Sequence, residues 1–153
     1  MNEIDIIEYR PELQPFFEKI SRGWIESHFS LEPFDIKQLQ HPQENILDKG
    51  GAILFAKEGE SVLGTVGLLK AGEDEFEMVK MGVVPEAQGK KIGWILGKAV
   101  LEKARGLGAK RVVLYSNSKL EAALGLYRKL GFKEMPVGCS SYGRCDVKME
   151  IEL

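Results

Sequence analysis

The fold is decided by residues 75–100, which read EFEMVKMGVVPEAQGKKIGWILGKAV. The first half of this stretch is an apolar run that stops at Pro85, and such a run predicts a buried strand. The second half predicts a helix, because apolar residues recur there at the spacing of one helix face. That face comprises Ile92, Ile95, Leu96, Ala99 and Val100.

A glycine-containing turn, residues 88–93, joins the strand to the helix. A helix that begins directly after such a turn presents unpaired backbone N–H groups, which favour an anion such as phosphate. Gly89 and Gly93 allow close approach of the backbone, and Lys90 and Lys91 add positive charge. A plain connecting loop with two solvated lysines is the alternative interpretation.

Two other phosphate-binding loops do not fit the sequence. A Walker A loop needs four residues between its first Gly and its Gly-Lys pair, followed by Ser or Thr. The run GWILGKA at 93–99 has three and ends in Ala. The dinucleotide fingerprint G-x-G-x-x-G is absent from the sequence.

Two segments resemble the signatures of the GCN5-related N-acetyltransferases, the GNAT family. The run VPEAQGKKIG at 84–93 resembles the family's acetyl-CoA signature, Gln/Arg-x-x-Gly-x-Gly/Ala, with Gln88 and Gly93 at its first and last positions. Lys91 departs from it by standing where the family usually has Gly. Asn117 and the run ALGLYRKLGF at 123–132 are similar to the second signature. The resemblance covers the chain from about Gly51 onward.

The remaining patterns predict a mixed α and β chain. Strands are expected at residues 4–9, 52–56, 62–69, 111–116 and 146–153, and helices at 11–27, after Pro33 and at 119–130, with Ser118 as an N-cap. Turns at 58–60 and 72–74 predict three consecutive antiparallel strands, and the loop at 137–144 is expected to be mobile. The resemblance implies a GNAT-type α/β (α+β) fold, in which helices cover both faces of a mixed, mostly antiparallel sheet.

Composition limits the classes of function. We expect the 153 residues to form a single N-acetyltransferase domain, residues 1–153. The formal net charge of −2 argues against nucleic acid, and no apolar run is long enough to span a membrane. Cys139 and Cys145 suggest a reducing cytoplasm, and no signal-peptide segment is visible. His28 and His41 lack ligand spacing, so no metal is expected.

The resemblance implies that acetyl-CoA is the cosubstrate. Its pantetheine arm would pair with the exposed edge of the central strand, and Gly82 there suggests either a bulge or a packing glycine. We expect Lys91 to have an ordinary helical φ, with its side chain toward a phosphate. The residues expected to contact acetyl-CoA are Met81, Gly82, Val83, Gln88, Gly89, Lys90, Lys91, Ile92, Gly93, Trp94 and Asn117.

The resemblance also suggests two catalytic residues. Glu77 would be the general base, or else an exposed residue of an acidic run. Tyr127 would protonate the departing thiolate, or else be a core aromatic. Weaker candidates near the acceptor are Tyr142, Arg144 and Asp146, and the side chains that border its pocket are expected among Trp24, Phe29 and Phe34.

The implied reaction is direct transfer of an acetyl group from acetyl-CoA to a primary amine of a small molecule or peptide. No cysteine lies at a motif position to form a covalent intermediate. A non-catalytic acyl-CoA-binding module and a partner-regulating domain remain alternatives. The amine, the acyl-chain length and the formation of a homodimer are left open by the sequence.

Overall fold

The computed structural model describes residues 3–136 and 145–153. The strands are β1 Ile4–Glu8, β2 Ala52–Glu58, β3 Ser61–Lys70, β4 Glu75–Val83, β5 Arg111–Ser116, β6 Lys133–Met135 and β7 Val147–Glu152. The helices are α1 Gln14–His28, α2 Pro33–Gln40, α3 Ile92–Gly106 and α4 Glu121–Leu130. Short helical turns lie at Pro11–Leu13, Gln43–Leu47 and Pro85–Ala87.

The strands form one seven-stranded sheet in the order β1-β2-β3-β4-β5-β7-β6. Every neighbouring pair is antiparallel except β4 and β5, which are parallel. The predicted hairpins from β2 to β4 and the mixed, mostly antiparallel sheet are confirmed. The crossover from β4 to β5 is made by α3, as a parallel connection requires.

Alternation along the strands places helices on both faces of the sheet. In β2, the side chains of Leu54 and Ala56 join the core under α3 and α4. Ile53 and Phe55 point the other way and pack with Phe17 of α1 and with residues of α2. Because β2 is covered on both faces, its side chains from Ala52 to Ala56 are all buried.

The predicted strand, turn and helix at residues 75–100 form β4 and α3. The buried residues of α3 recur at helical spacing: Ile92, Leu96, Gly97, Val100, Leu101 and Ala104. The turn at Gln43–Leu47 and the strand β6 were not predicted. The loop at 137–144, expected to be mobile, lies outside the described residues.

The prediction that Ser118 caps α4 is wrong. The helix begins at Glu121, and its N-cap position is occupied by Leu120, which has no side-chain acceptor. Ser118 instead donates from its backbone N–H and its Oγ to the two carboxylate oxygens of Asp146, both at 2.8 Å. Asp146 therefore ties the loop after β5 to the start of β7.

Candidate functional site

The sheet opens between β4 and β5. The two parallel strands pair only where Glu75, Phe76 and Glu77 lie opposite residues 111–113. Beyond Glu77 the strands have no pairing, although β4 continues to Val83 and β5 to Ser116. The edge of β4 that includes Met81, Gly82 and Val83 is therefore left without a strand partner on its β5 side. An extended chain with amide groups can pair with such an edge.

A bulge lies at the start of this open edge. Thr65 of β3 is opposite Gly82, whereas Gly67 is opposite Val79, so Lys80 and Met81 together face one residue of β3. Lys80 has a φ of 54°, in the left-handed region that non-glycine residues rarely adopt. The suggestion that the bulge is at Gly82 is thus corrected, since it lies at Lys80 and Met81.

A buried ion pair accompanies the strained backbone of Lys80. Its Nζ lies 2.7 Å from Oδ1 of Asp35 in α2, and the two side chains are 3% and 0% exposed. The other carboxylate oxygen of Asp35 accepts the backbone N–H of Glu32 at 3.0 Å. The pair joins the bulge to the start of α2, and a charged side chain this deeply buried requires such a partner.

Gly82 is buried beneath α1. A Cβ on this residue would lie 3.4 Å from Cγ2 of Ile20 and 3.6 Å from Cβ of Trp24. Both distances are ordinary van der Waals contacts, so α1 lies directly on the open edge of β4 with room for a Cβ between them. This contact brings one turn of α1 over the gap in the sheet.

The turn before α3 offers a set of unpaired donors. Within the described residues, no backbone hydrogen bond is made by the N–H groups of Gly89, Lys91, Ile92, Gly93 and Trp94. The turn is exposed at Gln88, Gly89, Lys90 and Lys91, whereas Ile92 is buried in the core. Lys90 lies 3.8 Å from Glu58, which is a weak, solvent-exposed contact. Consecutive free N–H groups of this kind form a concave anion site.

The expectation of a helical φ at Lys91 is wrong. Its φ of 63° and ψ of 22° place it in the left-handed region, as the N-cap of α3. This conformation costs an L-residue about 1–2 kcal/mol relative to glycine. The reason is the path of the chain, which must change direction at this residue to enter the helix. The position thus has the geometry that suits glycine, and Lys91 occupies it under strain.

Gly93 brings α3 close to α4. A Cβ at Gly93 would lie 3.0 Å from Cδ2 of Leu126, and one at Gly97 would lie 2.5 Å from Cδ1 of Leu130. Trp94, on the next position, lies under the ammonium of Lys98, 5.4 Å from the ring centre. Gly93 therefore has a packing role besides its place in the turn, and a larger residue there would disturb the two helices.

A cavity passes through the gap between β4 and β5. One group of its lining residues comes from α1 and the loop after it, a second from β4 and β5, and a third from the loop before α4 and from α4 itself. The lining residues are Ser21, Trp24, Ile25, Phe29, Glu77, Met78, Val79, Lys80, Met81, Leu114, Tyr115, Ser116, Asn117, Leu120, Tyr127 and Cys145. Trp24 and Phe29 thus border the cavity as expected, whereas Phe34 is not among its lining residues.

Glu77 faces the α1 side of this cavity. Its neighbours Phe76 and Met78 belong to the core under α3 and α4, so alternation directs Glu77 to the opposite face. Burial raises the pKa of Glu77 from 4.5 to about 7; the positive charge of Lys80 reduces this shift, and the negative charge of Glu75 increases it. A carboxyl group with this pKa accepts a proton readily near neutral pH.

Tyr127 reaches the cavity from the opposite face. The residue is 7% exposed, packs edge-on against Phe132, and lies in the core under α3 and α4. Burial raises the pKa of its phenol from 10.0 to about 12. Its hydroxyl makes no hydrogen bond within residues 3–136 and 145–153. Tyr127 is therefore both a core aromatic and a protonated donor at the cavity wall.

Asn117 shapes the end of β5. Its Oδ1 accepts the backbone N–H of Lys119 at 2.9 Å, which closes a turn at the cavity wall. Together with the bonds from Ser118 to Asp146, this turn fixes the loop between β5 and α4. Tyr142 and Arg144, two of the weaker candidates, lie outside the described residues.

Two further observations concern the acidic run and the cysteines. The acidic side chains near Glu77 are engaged at the closed end of the gap, where Glu75 lies 2.6 Å from Arg111 and Asp74 lies 3.6 Å from Lys110. Cys145 is disulfide-bonded, which contradicts the expectation of reduced cysteines.

Ser21 is a cavity residue that was missed in the sequence. This side chain is 2% exposed and lines the cavity. Among the buried polar side-chain atoms of the described residues, its Oγ alone lacks a hydrogen-bond partner. A signal was present, because Ser21 falls on the same helix face as Phe17, Trp24 and Ile25 at spacings of four, three and four residues. A polar residue on an apolar helix face points to a specific partner.

Neither membrane spans nor metal clusters are found in the part of the chain that the structure describes. None of its helices has the length and apolar character needed to cross a membrane. Those same residues contain no group of three or more His, Cys, Asp or Glu side chains arranged to hold a metal ion.

Comparison with known proteins gives concordant matches. Residues 12–132 match the sequence profile described as "Acetyltransferase (GNAT) family". The chain is 35% identical over 100 residues to "Uncharacterized N-acetyltransferase YjgM" of Escherichia coli (strain K12), which covers 63% of this chain and 60% of that protein. The chain therefore spans less than two thirds of that relative's length.

Solved structures share the fold. A GNAT-family acetyltransferase from Staphylococcus aureus Mu50 superposes with a TM-score of 0.86 at 20% identity, covering 98% of this chain and 99% of that one. YncA of Salmonella typhimurium, solved with its cofactor acetyl-CoA, gives a TM-score of 0.78 at 20% identity, covering 97% and 93%. At such identities the likeness concerns the fold alone.

Proposed function

Because this chain belongs to the acetyltransferase (GNAT) family, we propose that it transfers an acetyl group from acetyl-CoA to a primary amine of a small molecule or peptide. The observation that carries the proposal is the unpaired edge of β4 beside the turn with free N–H groups. These two features are suited to the two parts of CoA, an extended amide-bearing arm and a pyrophosphate.

The proposed cofactor site follows the gap. The pyrophosphate binds the free N–H groups of Gly89 and of residues 91–94, and the side chains of Gln88, Lys90 and Lys91 are exposed around the turn. The pantetheine arm pairs with β4 at Met81, Gly82 and Val83, and Asn117 borders it from β5. A backbone N–H of this open edge polarises the thioester carbonyl.

The proposed reaction uses one catalytic side chain on each face of the sheet. Glu77 removes a proton from the ammonium form of the acceptor, and the freed lone pair attacks the thioester carbonyl carbon. The new C–N bond forms as the C–S bond breaks, and the electron pair of the C–S bond leaves with the sulfur. The nitrogen then gives up one more proton to water and the thiolate takes one from water, so the products are an amide and the CoA thiol.

The raised pKa of Tyr127 favours hydrogen bonding over proton donation as its role. A phenol with a pKa of about 12 is a weak acid beside an ordinary thiol, whose pKa is about 8.5. Full proton transfer to the thiolate is uphill by that difference, whereas a hydrogen bond from the phenol to the developing charge is favourable. We therefore assign Tyr127 the stabilisation of the departing sulfur.

The proposal takes residues 1–153 as one domain in the cytoplasm, without a metal, and leaves a homodimer open. Titration calorimetry with CoA and an acetyl-CoA thiol-release assay over primary amines test it. Binding together with amine-dependent thiol release supports the enzyme. Binding without release would instead favour the acyl-CoA-binding module, and no binding would remove both.

A further inference from the structure

The half of the cavity that faces α1 holds few polar side chains. Its described walls from α1 and the following loop are Trp24, Ile25 and Phe29, with the hydroxyl of Ser21 among them. From β4 come Glu77 and Lys80, and Lys80 is paired with Asp35. Ser21 on the helix and Glu77 on the strand are therefore two polar side chains on this face that have no hydrogen-bond partner among residues 3–136 and 145–153. The phenol of Tyr115, which alternation along β5 directs to the same face, is a third.

The hydroxyl of Ser21 is unusual because it is buried and has no partner. A helical serine commonly relieves this situation by bonding the carbonyl four residues earlier, and Ser21 does not do so. A buried, unpaired hydroxyl destabilises the folded chain. Its location in the wall of a cavity, over the gap in the sheet, provides a partner once the cavity is occupied.

We propose that Ser21 Oγ accepts a hydrogen bond from the amino group of the acceptor, and that the acceptor is a primary monoamine carried on an apolar or aromatic body. This inference rests on the proposed acetyl transfer and names the substrate class of the same site. Ser21 thereby becomes a residue that orients the nucleophile, opposite the carboxylate that deprotonates it.

The valences of the amine explain why two acceptors are needed. After Glu77 takes one proton from the ammonium ion, the nitrogen holds two N–H groups and one lone pair. The lone pair must point to the thioester carbon. An N–H that faces α1 then needs an acceptor in a dry wall, and the hydroxyl oxygen of Ser21 supplies it.

The walls define the body of the acceptor. Trp24, Ile25 and Phe29 offer apolar and aromatic surface, which suits a hydrocarbon chain or ring. The ammonium of Lys119 already lies 5.7 Å from the ring of Phe29. A second ammonium group, as in a polyamine, would meet this positive charge at the edge of the cavity and is disfavoured.

The test compares Ser21→Ala with Ser27→Ala, a matched change on the same helix. Ser27 is exposed, and its Oγ donates to the carbonyl of Trp24 at 2.8 Å. Thiol release is measured at saturating acetyl-CoA with phenethylamine, hexylamine, spermidine and a peptide with an N-terminal alanine. CoA affinity is measured by calorimetry and stability by the melting temperature of the ligand-free protein.

The expected result is a separation of function from stability. Ser21→Ala lowers kcat/KM for phenethylamine about tenfold, the loss of one hydrogen bond of about 1.4 kcal/mol. It leaves CoA affinity unchanged and does not lower the melting temperature, because the removed hydroxyl had no partner. Ser27→Ala keeps the wild-type kinetics, and the two apolar monoamines exceed spermidine and the peptide in kcat/KM.

Three outcomes overturn the inference. One is unchanged amine kinetics in Ser21→Ala, and a second is a lower melting temperature with no kinetic effect, which marks a structural residue. The third is a preference for spermidine or the peptide. If the wild type acetylates no amine, the proposed function fails, and phenethylamine is titrated into the CoA complex. If phenethylamine binds the wild type and binds Ser21→Ala more weakly, the proposed amine site is supported. If it binds both proteins equally, or binds neither, the proposed amine site is rejected.

Discussion

Replacing Glu77 by glutamine should stabilise the protein at alkaline pH. The carboxyl group ionises with a pKa of about 7 in the folded chain and at its ordinary value of 4.5 when unfolded. Between these values the folded state holds a proton that the unfolded chain has released, so stability falls as the pH rises. Above about 7 the cost of burying the charge is complete, and the shift corresponds to roughly 3 kcal/mol. Below 4.5 the carboxyl group is neutral in both states and contributes nothing.

The neutral amide introduced by Glu77→Gln carries no such cost. The gain in unfolding free energy over the wild type should be roughly 3 kcal/mol at pH 8 and about 1 kcal/mol at pH 5. Urea unfolding at the two pH values measures it, and any constant effect of the amide cancels in the difference. Glu73→Gln, in the exposed turn before β4, is the control and should show no pH-dependent gain.

The same substitution should remove the general base. The kcat/KM of the wild type should fall tenfold per pH unit below about 7, and Glu77→Gln should lose about 10²–10⁴-fold together with that acidic limb. Equal stability gains at pH 5 and pH 8 would refute the burial of an ionising Glu77. An acidic limb that persists in the variant would move the base elsewhere.

Further substitutions follow from the geometry. Lys91→Gly should relieve the left-handed strain and, after the entropy cost of glycine, raise the unfolding free energy by about 0.5–1 kcal/mol. Lys90→Gly, at a residue with an ordinary φ, should lower the unfolding free energy. Equal effects of the two changes in urea unfolding would refute the strain at Lys91. Lys91→Ala keeps the strain and should weaken CoA binding and its salt dependence in calorimetry; unchanged affinity would leave Lys91 solvated. Tyr127→Phe should lower kcat and kcat/KM together by about 10–150-fold and leave CoA affinity intact, because one hydrogen bond to a charge is worth about 1.5–3 kcal/mol. Full activity of the variant in steady-state assays would exclude Tyr127 from the reaction. Asp35→Asn should destabilise the protein by about 3–5 kcal/mol by removing the carboxylate that faces the buried ammonium of Lys80, and Asp35→Leu with Lys80→Met should recover much of this loss. A small loss in Asp35→Asn, measured by urea unfolding, would contradict the buried pair.

The local patterns in the sequence predicted most of the fold. The buried strand, the turn and the helix of residues 75–100 carry strong periodic signals, and the short turns at 58–60 and 72–74 indicated hairpins. The exposed edge of the central strand was expected from the family resemblance, and the short pairing of β4 with β5 leaves such an edge. The three residues of β6 were missed because so short a strand has no period.

The details of the site depend on contacts that a local pattern does not contain. Lys80 pairs with a carboxylate 45 residues away, and this pair accompanies a bulge just before the glycine that was suspected. The left-handed φ of Lys91 follows from how the chain enters α3, whereas its residue type argued for a helical φ. Ser21 was overlooked because a serine draws no notice until its neighbours on the helix face are seen to be apolar.

The proposed activity of this protein is acetyl transfer from acetyl-CoA at the gap between β4 and β5. The most direct measurement is mass spectrometry of the products from acetyl-CoA labelled in its acetyl group, incubated with the protein and a primary amine, with thiol counted in parallel. We predict one labelled N-acetyl amide for each CoA thiol released, and loss of both with Glu77→Gln. Binding of CoA without any labelled amide across the amine panel would contradict the claim.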